Sequence, residues 1–87
     1  MTKINAEYHK ELIRVNELLF NEESTLERLK LAVSAARHYL SAFPYDDERV
    51  FNLQGAMANY RCQENKVRNI RAKLEEMVND VFSNIEG

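Results

Sequence analysis

Apolar residues recur three and four positions apart through almost the whole chain, and this spacing is interrupted only once. The two series are Tyr8, Leu12, Val15, Leu19, Glu22, Leu26, Leu29, Val33, Ala36, Leu40 and Phe43, then Val50, Leu53, Met57, Tyr60, Glu64, Val67, Arg71, Leu74, Val78, Val81 and Ile85. Alternating steps of three and four are typical of an amphipathic helix with a coiled-coil seam. The pattern therefore predicts two long helices.

The interruption is the segment Phe43-Pro44-Tyr45-Asp46-Asp47. Proline disfavours helix at the residue before it, and Asp46 or Asp47 can cap a following helix. We expect helices over about 3–42 and 47–84, with a turn at 43–46. The sequence thus predicts a single all-α domain over residues 1–87, folded as an antiparallel helical hairpin of two long helices.

An antiparallel pairing of the two series brings Leu40 opposite Leu53 near the turn. The same register places Glu22 opposite Arg71, where the two would form an opposite-charge pair within the seam. The third polar member of the seam, Glu64, has no charged partner in this register.

A second interpretation divides the first helix within the polar segment Asn21–Thr25. Ser24 followed by Glu27 has the spacing of a capping box, which starts helices. A break there would give a three-helix bundle able to cover its own apolar surface. The apolar steps pass through the segment without losing phase, so we favour one continuous helix.

The residues beside the seam differ in character on its two sides. One side, here called the apolar flank, contains Leu18, Thr25, Ala32, Tyr39, Ala56, Ile70 and Met77, with Gln63 as its polar member. Two helices form a thin core, so an exposed apolar flank predicts a covering partner. The partner is a second copy, giving a dimeric four-helix bundle, or a helix of another protein.

The opposite side, here called the basic flank, is polar and contains Lys30, Arg37, Arg61 and Arg68. Acidic residues are scarce around these positions, so the flank could bind nucleic acid or another polyanion by counterion release. The whole chain has 12 Lys and Arg against 14 Asp and Glu, a net charge of -2. Polyanion binding is therefore the alternative function rather than the preferred one.

The sequence contains no arrangement typical of catalysis, so we expect no enzyme activity and no cofactor. Cys62, the only cysteine, falls on the outer face of the second helix, and His9 and His38 fall near opposite ends of the first. Neither histidine follows a Glu by three positions, as helical metal sites require. The start of the chain lacks a secretory signal and no run of about 18 apolar residues occurs, so we expect a cytoplasmic, non-membrane protein.

Together these features predict a non-enzymatic protein–protein interaction module, of the adaptor, chaperone or regulator class, that uses the apolar flank of a helical hairpin. The expected partner is a second copy or another protein chain. Nucleic-acid or other polyanion binding through the basic flank is the alternative.

Overall fold

The chain forms a long helical hairpin, as the sequence predicts. The computed structural model describes residues 6–86, apart from the side chains of residues 82 and 84–86. Helix α1 spans Ala6–Ala42 and helix α2 spans Asp47–Glu86, and the two pack side by side with extents of 65 × 17 × 13 Å. The predicted end of α1 is confirmed, α2 continues two residues beyond its predicted end, and the predicted start of α1 near residue 3 lies outside the described residues.

Helix α1 continues without a break through the polar segment 21–25. The Ser24 hydroxyl donates to the carbonyl of Phe20 at 3.1 Å, and the Thr25 hydroxyl donates to the carbonyl of Asn21 at 3.3 Å. Hydroxyls bonded to the preceding turn in this way lie within a helix and do not cap its start. The alternative of three helices is therefore wrong.

The turn is closed by backbone hydrogen bonds and capped by one aspartate. The Asp46 amide donates to the Phe43 carbonyl at 3.2 Å across a four-residue turn, with Pro44 at the second position, where its fixed φ is favourable. The Asp46 carboxylate accepts from the amides of Glu48 at 3.0 Å and Arg49 at 3.3 Å. Of the two predicted capping residues, Asp46 is therefore the N-cap of α2.

Arg49 fastens the start of α2 to the end of α1. Its Nε donates to the Asp46 carboxylate at 3.2 Å, and its Nη1 donates to the Tyr39 carbonyl at 3.5 Å. The guanidinium carbon also lies 4.1 Å from the centre of the Phe43 ring, within cation–π distance. One side chain thus joins both helices and the turn.

Four hydrophobic residues of the described chain are buried between the helices: Val15, Leu19, Val67 and Met77. The first three are seam residues in the sequence pattern. Met77 was assigned to the apolar flank, yet only 8 % of it is exposed, whereas 36 % of Val78, its predicted seam neighbour, is exposed. The predicted seam of α2 is therefore correct from Leu53 to Val67 and fails towards both ends, where Val50, Arg71 and Val78 are exposed.

Beyond Val67 the seam of α2 shifts by one position, so Ile70 rather than Arg71 faces α1. Ile70 is half-buried, while Arg71 is exposed and reaches Glu23 on α1 at 2.8 Å. A straight helix with 3.6 residues per turn drifts relative to a strict seven-residue repeat, so neighbouring rows can take over the seam. Moving to the row of Ile70 and Met77 keeps the guanidinium in water and avoids its desolvation.

The capping contacts give a prediction for Asp46→Ala. The substitution removes the acceptor for two amides at the start of α2, and losing an N-cap costs about 1 kcal/mol of stability. For a domain of this size we expect the thermal midpoint to fall by roughly 4–8 °C, measured by circular dichroism. Asp47→Ala, one residue later and outside the cap, serves as the matched control, and an equal fall in both variants would contradict the assignment.

Candidate interaction surfaces

The half of the apolar flank nearest the turn is an open groove of about 590 Å³. Three predicted flank residues, Ala32, Tyr39 and Ala56, line it together with Ala35 and Ala36. The small alanine side chains leave the space, and 59 % of Tyr39 is exposed beside it. Polar and charged residues at the start of α2 and before it complete the lining: Asp46, Glu48, Arg49 and Asn52. The groove is therefore an apolar depression with a polar rim at one end.

The other half of the apolar flank carries larger side chains. Leu18 is 37 % exposed and Ile70 is half-buried. Thr25 is half-buried, with its hydroxyl bonded to its own helix. Met77 is buried against α1, so it belongs to the core of the single hairpin and the prediction that it forms a free interface is corrected.

Between the two halves a polar cross-link joins α1 to α2. The Gln63 amide nitrogen donates to the Glu22 carbonyl oxygen at 2.9 Å and to its carboxylate at 2.6 Å, and Lys66 Nζ lies 3.3 Å from the same carboxylate. The predicted pair of Glu22 with Arg71 is not formed, because Arg71 pairs with Glu23 instead. Glu22 thus finds its partners five and eight positions earlier in α2 than the predicted register places them.

On the basic flank three of the four predicted cations line a single groove. Lys30 and Arg37 of α1 and Arg61 of α2 border a space of about 360 Å³. Val33, Met57 and Tyr60, three seam residues, are apolar side chains in the same lining. The two grooves use different faces of the same stretch of α1, so they lie on opposite flanks of the hairpin.

The fourth predicted cation, Arg68, is not part of this groove. Its guanidinium donates to the Asn65 side chain at 3.2 Å and lies 3.9 Å from the Glu64 carboxylate. Glu64, which the predicted register left without a charged partner, therefore has one on its own helix. The structure thus brings together three of the four cations.

Residues considered for catalysis do not converge. Cys62 is exposed, as are His9 and His38, which lie 29 positions apart on α1, or about 43 Å along the helix. Among the described residues no three His, Cys, Asp or Glu side chains are grouped so as to hold a metal ion. Neither helix, over its described length, has the apolar stretch needed to cross a bilayer.

Two features were not anticipated from the sequence. The contacts of Arg49 cross the turn, and the three–four spacing within a helix gives no sign of them. Gln63 was assigned to the flank as a neutral residue, and nothing in the spacing pairs it with Glu22. Both contacts depend on the actual register between the helices.

No protein-family model, curated protein or solved structure matches this chain. A functional assignment therefore rests on the two grooves and the surfaces beside them.

The polar cross-link shifts the titration of Glu22. The hydrogen bond from Gln63 lowers the pKa of Glu22, burial of the carboxylate opposes this, and Lys66 lowers the pKa further through its hydrogen bond and charge. A carboxyl group whose pKa is lower in the folded than in the unfolded chain stabilises the fold above its unfolded pKa. That stabilisation is lost as the pH falls through the folded pKa.

We therefore expect Glu22→Gln to reduce the acid sensitivity of the protein. The amide can still accept a hydrogen bond from Gln63 but does not titrate, so the thermal midpoint should fall less between about pH 6 and pH 3 than in the wild-type chain. Thermal unfolding followed by circular dichroism measures this. Glu17→Gln, an exposed carboxylate without an ion pair in the described chain, is the control and should keep the wild-type slope; equal slopes for all three proteins would contradict the prediction.

Proposed function

We propose that the protein is a non-enzymatic protein–protein interaction module that binds a second copy of itself through the apolar flank. Two hairpins form an antiparallel four-helix bundle in this arrangement, which acts as an adaptor, chaperone or regulator. The observation that carries the proposal is the large area that one hairpin leaves accessible to solvent.

The single hairpin exposes 6860 Å². A compact monomer of the same mass, 10.2 kDa, is expected to expose about 5300 Å². The excess of about 1500 Å² exceeds the roughly 800 Å² that each partner contributes to an interface of standard size. The radius of gyration, 19.3 Å against about 12 Å for a compact chain of this length, reflects the same open shape.

Large apolar side chains form part of the uncovered surface, and two of them, Leu18 and Tyr39, lie on the apolar flank. Only four hydrophobic residues of the described chain are buried, whereas ten large ones are exposed. Removing apolar area from water is favourable at about 25 cal/mol per Å², so covering the flank stabilises an assembly. A second hairpin offers an equally long apolar flank to do this.

The two halves of the apolar flank are complementary in size. Leu18, which is 37 % exposed, protrudes from one half, and the alanine-lined groove lies in the other. A two-fold axis near Thr25, with the copies antiparallel, places Leu18 of each copy at the partner's alanine groove. Such an interface uses one patch twice, as closed dimers do.

The mass of the particle in solution tests this proposal. We expect the wild-type chain to form a dimer of about 20 kDa by light scattering. The double variant Leu18→Lys with Ala32→Arg introduces charges on both halves of the flank and should weaken dimerisation by about 100-fold or more, because desolvating an unpaired charge is costly. Both new residues favour helix, so the hairpin itself should tolerate them.

Leu31→Lys is the matched control. Leu31 is exposed on α1 and lines neither groove, so this variant should keep the dimeric mass. A wild-type monomer at tens of micromolar, or a double variant with unchanged mass, would contradict the proposal. Circular dichroism recorded on each protein separates loss of assembly from loss of helix.

Spin labels test the direction of packing. Cys62 is exposed and is the only cysteine, so a label can be placed there directly. A second label position, Tyr45→Cys in a Cys62→Ser chain, lies at the turn, about 24 Å along the hairpin from residue 62. Antiparallel copies should give a short distance between labels at 62 and about 48 Å between labels at 45. A short distance between labels at 45 would place the two turns close together, which would show parallel packing and overturn the antiparallel arrangement.

A further inference from the structure

Three cations without an ion pair line the groove of the basic flank, beside one carboxylate, Glu64, which pairs with Arg68. The side chains of Lys30, Arg37 and Arg61 form neither an ion pair nor a hydrogen bond within the described residues. Several other cations of the described chain, by contrast, form ion pairs. Five basic residues pair with acids: Arg14, Arg49, Lys66, Arg68 and Arg71. Half of the unpaired cations outside residues 1–5 are therefore gathered around one groove.

The space between these cations is lined by apolar side chains. Val33, Met57 and Tyr60 contribute to the lining, and the groove holds about 360 Å³. It extends over residues 30–37 of α1 and 57–64 of α2, which is two turns of each helix. An apolar groove between two helices, two turns long, suits the apolar face of a third helix.

The spacing of the charges agrees with such a ligand. Lys30 and Arg37 are seven residues apart, so they lie on one side of the groove about 10.5 Å from each other along the axis. Acidic residues seven apart on a bound helix have the same separation. Arg61, on the other helix, faces the opposite side of the ligand, where a third acidic residue would lie.

We propose that this groove binds an acidic amphipathic helix of another protein. The apolar face of the ligand packs on Val33, Met57 and Tyr60, and carboxylates on its two edges pair with the three cations. Electrostatic complementarity of this kind fixes register and speeds association. The ligand spans about two helical turns, with two acidic residues seven positions apart on one edge.

A long polyanion fits the surroundings of the groove less well. Glu64 borders it on α2, and the basic flank also carries Glu23 and Glu75 farther from the turn. Towards the turn it carries Asp47, which is two heptads before Arg61. A nucleic-acid strand leaving the groove would meet Glu23 and Glu75 in one direction and Asp47 in the other, whereas a ligand two turns long meets only Glu64.

This binding site is independent of the proposed dimer. The dimer uses the apolar flank, and the basic flank lies on the opposite side of the hairpin, so a dimer presents two such grooves. Failure of either proposal therefore leaves the other unaffected. Solution mass measured for every groove variant keeps the two results separate.

Fluorescence anisotropy with a labelled helical peptide tests the proposal on the full chain. The probe is a capped peptide of about 14 residues with a leucine stripe flanked by glutamates seven positions apart. We expect saturable binding that weakens with salt, and a loss of about tenfold or more in affinity for Arg37→Glu and for Arg61→Glu. Arg28→Glu makes the same charge change outside the groove and should bind as the wild type does.

Charge exchange provides the sharper measurement. A peptide in which lysines replace the glutamates should fail to bind the wild-type chain and should gain affinity for the double variant Arg37→Glu with Arg61→Glu. A labelled single-stranded RNA of about 20 nucleotides is titrated in parallel. Three outcomes would each overturn the proposal. The peptide could bind all variants equally, the RNA could bind and lose affinity in the same variants while the peptide does not bind, or neither probe could bind.

Discussion

Two helices packed against each other can remove only one stripe of each from water, and this geometric limit governs the molecule. The buried part of the described chain is reduced to Val15, Leu19, Val67 and Met77, all within one seam. Everything beside the seam remains accessible whatever its polarity. The fold is therefore stabilised by a narrow core, a fastened turn and a few polar contacts between the helices.

Because of this limit, most residues on the two flanks of the seam remain at least partly exposed, and the two flanks differ in composition. Residues next to a coiled-coil seam are in reach of neighbouring chains, so their composition controls what the hairpin can bind. On one side the alanines make a depression bordered by Tyr39, and on the other the cations surround an apolar strip. One hairpin thus presents two chemically different surfaces on the same segment, on opposite flanks of the seam.

Most of the fold could be predicted because its signals are local. Pro44 and Asp46 mark the turn within a few residues, and the three–four spacing defines the seam of α1 from Tyr8 to Leu40 and that of α2 from Leu53 to Val67. The grooves were also predictable in part, since Lys30 and Arg37, or Ala32 and Tyr39, are heptad-related and must share a face. The errors concern α2, where the seam shifts to bring Met77 into the core and Arg68 pairs with Glu64 on its own helix.

That shift could not be read from one helix alone. Arg71 and Val78 form one row along α2, and Ile70 and Met77 form the row beside it. Both rows have the helical period, so which of them faces α1 depends on the side chains that α1 presents opposite them. The partner of Glu22 is undetermined for the same reason, because its contacts with Gln63 and Lys66 are separated by about forty residues of sequence. The pattern within one sequence shows which residues share a face of a helix. The register between two helices depends on how they pack against each other.

The contacts that hold the turn closed also favour one order in which the hairpin folds. The hydrogen bonds between the helices join residues 10, 41, 48 and 69 positions apart, from Arg49 with Tyr39 at the turn to Tyr8 with Met77 near the open end. Each closure shortens the loop that the next must close, so the entropy lost at each later step is small. The hairpin is thus expected to assemble as a zipper from Arg49 outward, and its open end, farthest from the turn, exchanges its amide hydrogens first.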